Sequence, residues 1–296
     1  MLTIFATPKA FEGHIGIIQH NAIKSWTLLN PKPEIILFGD EKGTKEICQE
    51  LNLKHIPILS LNEYGTPLLS DLFQQGQQLA KNDLVCYVNA DIILMNDFIQ
   101  MLIQVQKLKK PWLVTTRRWD VDITEPINFE KSKWQSELQD LINVKGVLRE
   151  GGVDFFVFKK GLYKIIPSFA IGRNYWDDWI CWEARRCGAM VINAADIVMA
   201  VHQNHSYSYL GGSQAWRDQP ELQHNWRLIG GWQYIFCKSL PTHNLKKSGM
   251  VKSPFYNYFI HIFYRARSFV VQSTYNLRRS LGLYRWWIQR KKLNKE

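Results

Sequence analysis

The first 120 residues switch repeatedly between two hydrophobic periods, and that alternation leaves few architectures open. Leu2–Ala6 is a short apolar run that reads as a strand. His14 to Leu29 then carries Ile15, Ile18, Ala22 and Trp26 near helical spacing and stops at Asn30-Pro31. Strand signals follow at Glu34–Phe38, His55–Leu59, Leu84–Val88 and Trp112–Thr116, with helical signals at Thr44–Leu51, Leu68–Ala80 and Asp97–Lys107 between them. Strands separated by helices predict an α/β protein with a doubly wound, mostly parallel, Rossmann-like sheet. Further on, the pattern predicts a helix over Phe129–Ile142, a glycine turn at Gly151-Gly152 feeding a strand to Phe158, and a helix from Trp176 to Cys187. Strands follow at Met190–Asn193 and Ile197–Val201, and residues 203–250 read as long ordered loops.

Within that frame the segment Tyr87-Val-Asn-Ala-Asp-Ile-Ile-Leu94 stands out. Asp91 follows a buried strand, at the rim where open α/β sheets bind ligands. A carboxylate there suits a hard cation holding a diphosphate, although it could equally cap the next turn. Trp176-Asp-Asp-Trp179 places two carboxylates in the first turn of a helix. The helix dipole favours them there in any case, but one of them facing a cleft would serve as a general base, with the tryptophans shaping a wall for a sugar. Val201-His-Gln-Asn-His205 ends a strand with two imidazoles beside a Tyr-Ser-Tyr run, a better candidate for a metal ligand than a lone histidine.

These blocks together resemble the nucleotide-sugar glycosyltransferases of the GT-A fold over roughly residues 1–235. Asn89-Ala-Asp91 sits where that family carries Asp-x-Asp. Ile171-Gly-Arg-Asn-Tyr-Trp-Asp-Asp-Trp179 is similar to a "Gly-Arg … Trp-Asp-Asn-Trp" block, and His202-Gln-Asn-His-Ser-Tyr207 to a "His-Gln-Asn-His-Asp-Tyr" block. Arg117-Arg-Trp-Asp-Val-Asp122 is also familiar from such proteins. The resemblance implies a divalent metal, Mn²⁺ or Mg²⁺, held by Asp91 and His202. It implies a donor site using Asp40, Asn89, Asp91, Arg117 and Arg118, and a catalytic carboxylate at Asp177, with Asp178 ranked below it. It implies a nucleotide-diphosphate sugar donor, a UDP-sugar first among them, and a glycan or lipid-linked acceptor such as a cell-surface polysaccharide precursor. Two departures are visible. Asn89 replaces the first Asp but still offers an oxygen, and Ser206 replaces the Asp of the histidine block.

Two rival readings use the same frame. A sugar-phosphate nucleotidyltransferase would show a Gly-rich basic loop after the first strand, and Thr7-Pro-Lys-Ala-Phe-Glu-Gly13 matches that poorly. A non-catalytic sugar- or lipid-binding protein is favoured only by Asn89 and Ser206.

Charge divides the chain. Residues 238–296 hold thirteen Lys and Arg against the single acid Glu296, which leaves residues 1–237 near −1 out of a total of +11. The expected organisation is therefore a body over 1–237, split near 120 into nucleotide-sugar and acceptor halves, and a basic tail over 238–296. In the tail, Pro254 to Tyr264 is aromatic and is followed by Arg265, Arg267, Arg278, Arg279, Arg285, Trp286 and Trp287. That composition predicts a helical tail lying on an anionic membrane surface without spanning it. No apolar run reaches the ~20 residues of a spanning helix. The near-neutral body argues against nucleic acid as a partner. Five cysteines without paired spacing, and a strand beginning at Leu2, predict a reducing, cytoplasmic setting at the inner membrane face.

Overall fold

The computed structural model describes residues 1–205, 219–230, 238, 240–254, 259, 262–263 and 266. The Tyr-Ser-Tyr run, Ser206 and most of the predicted tail helix lie outside the described residues. Chain order is β1 (Leu2–Ala6), α1 (Gly13–Thr27), β2 (Glu34–Phe38), α2 (Thr44–Leu51), β3 (Lys54–Ile56), α3 (Leu69–Leu79), β4 (Leu84–Val88) and β5 (Ile92–Ile93). It continues through α4 (Asn96–Val105), β6 (Trp112–Thr115), β7 (Arg117–Val121), α5 (Trp134–Lys145), β8 (Val147–Val153) and β9 (Phe155–Lys159). The last described elements are α6 (Trp176–Arg186), β10 (Met190–Asn193), β11 (Ala200–Gln203), α7 (Pro220–Ile229), β12 (His243–Lys246) and β13 (Gly249–Lys252).

The main sheet has nine strands in the order β13-β12-β10-β6-β9-β4-β1-β2-β3. All run the same way except β9 and β13, which pair antiparallel with their neighbours. The mostly parallel, doubly wound α/β sheet expected from the alternation is what forms. Its two faces are covered separately. Ile4 and Leu37 pack with Trp26, Ile47 and Phe98, from α1, α2 and α4. Phe5 and Ile36 pack with Phe73, Ile180 and Ile229, from α3, α6 and α7. Phe73 is fully buried, with the Phe5, Tyr87 and Phe158 rings at 5.3, 5.4 and 5.9 Å. Full burial of one such ring stabilises by roughly 1.5–3 kcal/mol. Gly76 lets α3 approach this cluster, since a Cβ there would meet Phe5 Cδ2 at 2.7 Å.

A second sheet, β5-β11-β7-β8, stands beside the first. The sequence reading missed β7 and β8 because their residues, Arg117-Arg-Trp-Asp-Val and Val-Leu-Arg-Glu-Gly-Gly-Val, show no clean apolar alternation. The expected glycine turn at Gly151-Gly152 is instead the end of β8. Nor is 203–250 simply loop. It contains α7, which begins at Pro220 in the first turn, and the hairpin β12–β13, which extends the main sheet. Residues 243–252 are thus part of the sheet, although their basic composition grouped them with the tail.

Candidate active site

Strand order reverses between β1, which continues to β2 and β3 on one side, and β4 on the other. Backbones diverge at the C-terminal ends of such a pair and leave a crevice. A cavity of about 540 Å³ opens there. Thr7 and Lys9 reach it from β1, Asn89, Ala90 and Asp91 from β4, and Asp154 from the step between β8 and β9. Its volume is within the usual range for small-molecule sites, ~300–1,000 Å³.

The second sheet assembles the centre of this cavity. β5 leaves directly after Asp91 and pairs antiparallel with β11, Ile92 against His202. On its other edge β11 pairs parallel with β7, His202 against Asp120. Three residues remote in sequence thereby meet. His202 Nε2 lies 3.6 Å and His205 Nε2 3.2 Å from Asp91 Oδ2. One ligand atom from each of Asp91, His202 and His205 falls within 4.8 Å of the others. Both imidazoles of the block are ligand candidates in the sequence; the resemblance names only His202 beside Asp91, and the geometry adds His205.

This trio fits a divalent cation. One carboxylate and two imidazoles are a common donor set for first-row divalent metals. Asp91 Oδ1 is buried and has no hydrogen-bond partner among the described residues, a cost of about 1–3 kcal/mol unless something meets it. Burial alone would push the Asp91 carboxyl up. The hydrogen bond from His205 and the charges of His202, His205 and Arg118 outweigh it and hold the group below the ordinary carboxylate range. His202 Nδ1, on the far side of the ring, faces Asp120 Oδ1 at 3.1 Å. A carboxylate behind a ligand histidine fixes ring orientation and raises basicity. Gln203 holds the Asp91 step in place: its Nε2 donates to the carbonyls of Asp91, at 3.2 Å, and Ile18, at 2.7 Å.

Around this centre runs a network of charges. Arg118 donates to Asp120 Oδ1 through Nε and to Asp154 Oδ2 through Nη1, both at 2.8 Å. Asn89 donates to Asp154 Oδ1 at 2.6 Å and accepts from the Tyr87 hydroxyl at 2.8 Å. Asn89 and Arg118 line the cavity, but their polar atoms bridge strands. With Asp154 this close, an amide fits position 89 and a second carboxylate would not. Arg117 and Asp40 are not among the cavity's lining residues. Asp40 is exposed at the end of β2, where Gly39 stands beside Thr7.

Asp177 and Asp178 separate in role. Tyr175 caps α6 with φ of 87°, a left-handed conformation rare for a tyrosine, and turns Trp176 and Asp177 toward the cavity. Asp177 lines the cavity, whereas Asp178 is buried and accepts the Lys238 backbone N–H at 3.1 Å. Of the flanking tryptophans, Trp176 lines the cavity and Trp179 is not among its lining residues. Trp176 packs on Tyr87 and Phe156, and Trp179 on Phe169, in the core. Lys238 Nζ is bonded to Asp177 Oδ2 and lies 3.8 Å from Asp178 Oδ2. Burial would lower the Lys238 pKa, but the two aspartates carry it above the usual lysine value. The sequence reading had counted Lys238 as the first residue of the tail. Lys9 also lines the cavity, with its ammonium pKa lowered, chiefly by burial. Arg173, in the Gly-Arg block, is turned to Glu221 of α7 by two bonds of 2.9 and 2.5 Å.

No family model and no curated protein matches the chain. Among solved structures it is similar to a mannosyltransferase from Pyrobaculum calidifontis in complex with GDP-Man and Mn²⁺, with TM-score 0.46 and 13% identity. That match covers 71% of this chain and 59% of the mannosyltransferase, so the chain spans under two thirds of that protein. It is also similar to glucosyl-3-phosphoglycerate synthase from Mycobacterium tuberculosis in complex with Mn²⁺, UDP and phosphoglyceric acid, with TM-score 0.46, 14% identity, and 77% and 78% of the two chains covered. The same synthase with Mg²⁺ and UDP gives TM-score 0.44 and 14% identity over 78% and 79%. At this level of likeness no residue role passes from those proteins to this one.

Proposed function

We propose that this protein is a glycosyltransferase of the GT-A type. It would move a sugar from a nucleotide-diphosphate donor, a UDP-sugar first, to a glycan or lipid-linked acceptor. The observation that carries the reading is the convergence of Asp91, His202 and His205 at the C-terminal rim of β4, in the same cavity as Asp177. A divalent cation, Mn²⁺ or Mg²⁺, held by that trio would neutralise charge on a departing diphosphate. Two imidazoles among three ligands favour Mn²⁺ over Mg²⁺.

The chain's own groups then divide the work. Lys9 offers a second positive charge beside Asp91 for the phosphates. Asp40, at the neighbouring strand end, is the candidate for the ribose or base. Asp120 would fix the His202 ring, and Arg118 engages both Asp120 and Asp154. Asp177 accepts the proton of the acceptor hydroxyl, exchanging its contact with Lys238 for one with the substrate. Lys238 is then free to offset negative charge in the cavity.

No helix among the described residues is long and apolar enough to cross a membrane. The basic, aromatic tail is proposed to hold the protein at the cytoplasmic membrane surface. The reading of the site is tested by incubating the chain with UDP-sugars and GDP-sugars, with Mn²⁺ or EDTA, and following release of the nucleotide. Metal-dependent release from one donor supports it. Nucleotide–sugar phosphate exchange with pyrophosphate would instead indicate a nucleotidyltransferase.

A further inference from the structure

The edge of the main sheet opposite Asp91 carries a second cavity, of about 680 Å³. Lys109 and Lys110 precede β6, Lys159 and Lys160 close or follow the antiparallel β9, Lys164 follows, and Arg186 ends α6; all six line it. Glu183 is the one acid among the lining residues, and Arg186 takes both its oxygens at 2.6 and 2.5 Å. Lys160 Nζ is anchored on the Ala80 carbonyl. Lys109, Lys110, Lys159 and Lys164 have no carboxylate within ion-pair distance among the described residues. A body with a net charge near −1 therefore keeps a segregated cationic edge.

Two further facts point to what this edge meets. Ile165 lines the same cavity and is 82% exposed, an aliphatic side chain standing in water among lysines. In addition, β13 runs antiparallel to β12 and ends with Lys252 opposite His243, at this same edge. The His243 pKa is lowered, first by burial and then by the charges of Lys252 and Lys110, so these two lysines flank one imidazole. Strand β13 thus ends on the side that carries the lysines.

We infer that this edge, Lys109, Lys110, Lys159 and Lys164 around Ile165, is a docking face for an anionic lipid surface. The lysines meet headgroup phosphates, and Ile165 enters the interface. Soluble phosphate compounds offer the lysines the same partners but give no reason for the exposed isoleucine. Docked this way, the Asp91 cavity faces away from the bilayer, separated from it by the length of the strands. For a five-residue strand this is about 17 Å. The acceptor reached would be one that extends from the surface. The docking face is independent of the reading of the Asp91 site.

The test is co-sedimentation of the full chain with phosphatidylcholine vesicles and with vesicles containing phosphatidylglycerol, at low salt. The wild type should bind the anionic vesicles and leave the neutral ones. Each Lys→Gln change at 109, 110, 159 and 164 should lower the partition coefficient about fivefold, and the effect should shrink with added salt. Ile165→Ser, which alters no charge, should lower it several-fold. Nucleotide-sugar turnover on soluble substrates should stay at the wild-type level, which separates this face from the catalytic site. Should a variant carrying all four Lys→Gln changes misfold by circular dichroism, Lys109→Gln/Lys164→Gln at two exposed positions gives the same reading. Equal binding to neutral vesicles, or unchanged partition in the folded variants, overturns the inference. So does binding of soluble polyphosphate without vesicle binding.

Discussion

Asp120 stands across a parallel strand pair from His202, its Oδ1 3.1 Å from the imidazole Nδ1, so the register of β7 against β11 orients a histidine of the candidate metal centre. Asp120 never touches the space between Asp91, His202 and His205 that a cation would fill. Its effect passes through the ring. Asp120→Asn should raise the Mn²⁺ dissociation constant roughly 10–100-fold while leaving the fold intact. Isothermal titration with Mn²⁺, alongside circular dichroism, reads both quantities. Unchanged affinity in the folded variant would leave Asp120 with only its bond to Arg118.

Asn89 looks like a weakened metal ligand in the sequence, but its amide bridges Tyr87 and Asp154. Asn89→Asp should therefore not improve metal binding. It would set two carboxylates 2.6 Å apart, a like-charge contact that lowers stability by a few kcal/mol, on the order expected for uncompensated buried charge. The double change Asn89→Asp/Asp154→Asn exchanges the partners and should recover much of the loss. Thermal melts of the three variants decide it, and a more stable Asn89→Asp would contradict the bridge.

Asp177→Asn should cut sugar transfer by roughly 10²–10⁴ and spare nucleotide binding, because it keeps shape and removes the base. Asp178 is buried and bonded to the Lys238 backbone, so Asp178→Asn should cost stability more than rate. Steady-state kinetics beside melting curves separate the two. A larger rate loss at 178 than at 177 would reverse their roles.

Asp97 gives a pH signature away from the site. It accepts the Met199 N–H at 2.8 Å, while its other oxygen is buried without a partner among the described residues. Burial raises its pKa to about 6. The folded state then binds the proton more tightly than the unfolded state, whose Asp titrates near 4. Its contribution favours the fold below about pH 4 and is lost as pH rises through 6. Asp97→Asn should thus raise the melting temperature at pH 7.5 by a few degrees, corresponding to about 1–2 kcal/mol, and the gain should vanish near pH 4. A gain that stays constant across that range would count against the buried charge.

Much of the frame was legible in sequence because it rests on local patterns. The apolar runs of β1, β2 and β4 and the helical spacing in α1 are each set by a few consecutive residues. Asp91, Asp177 and His202 were visible because each follows or opens such an element. What sequence hid depends on register and on distant partners. Asp120 matters through its pairing with His202 and its bond from Arg118. Asp154 matters through Arg118 and Asn89, and Lys238 through Asp177. Helix α7 was obscured by its polar composition, since it buries Glu221 and Asn225 to tie down the loop that carries Arg173. Pro220 before Glu221 is the start signal that could have revealed it.

The most direct measurement is a thermal-shift series with UDP, with Mn²⁺ or EDTA, on the wild type, Asp91→Asn and His205→Ala. A ligand that binds only the folded state raises its melting temperature. The wild type should be stabilised by UDP and Mn²⁺ together, by several degrees more than by either alone. Asp91→Asn should lose that shift, and His205→Ala should lose most of it. An equal shift in EDTA, or an undiminished one in folded Asp91→Asn, would contradict a metal–diphosphate centre at this rim.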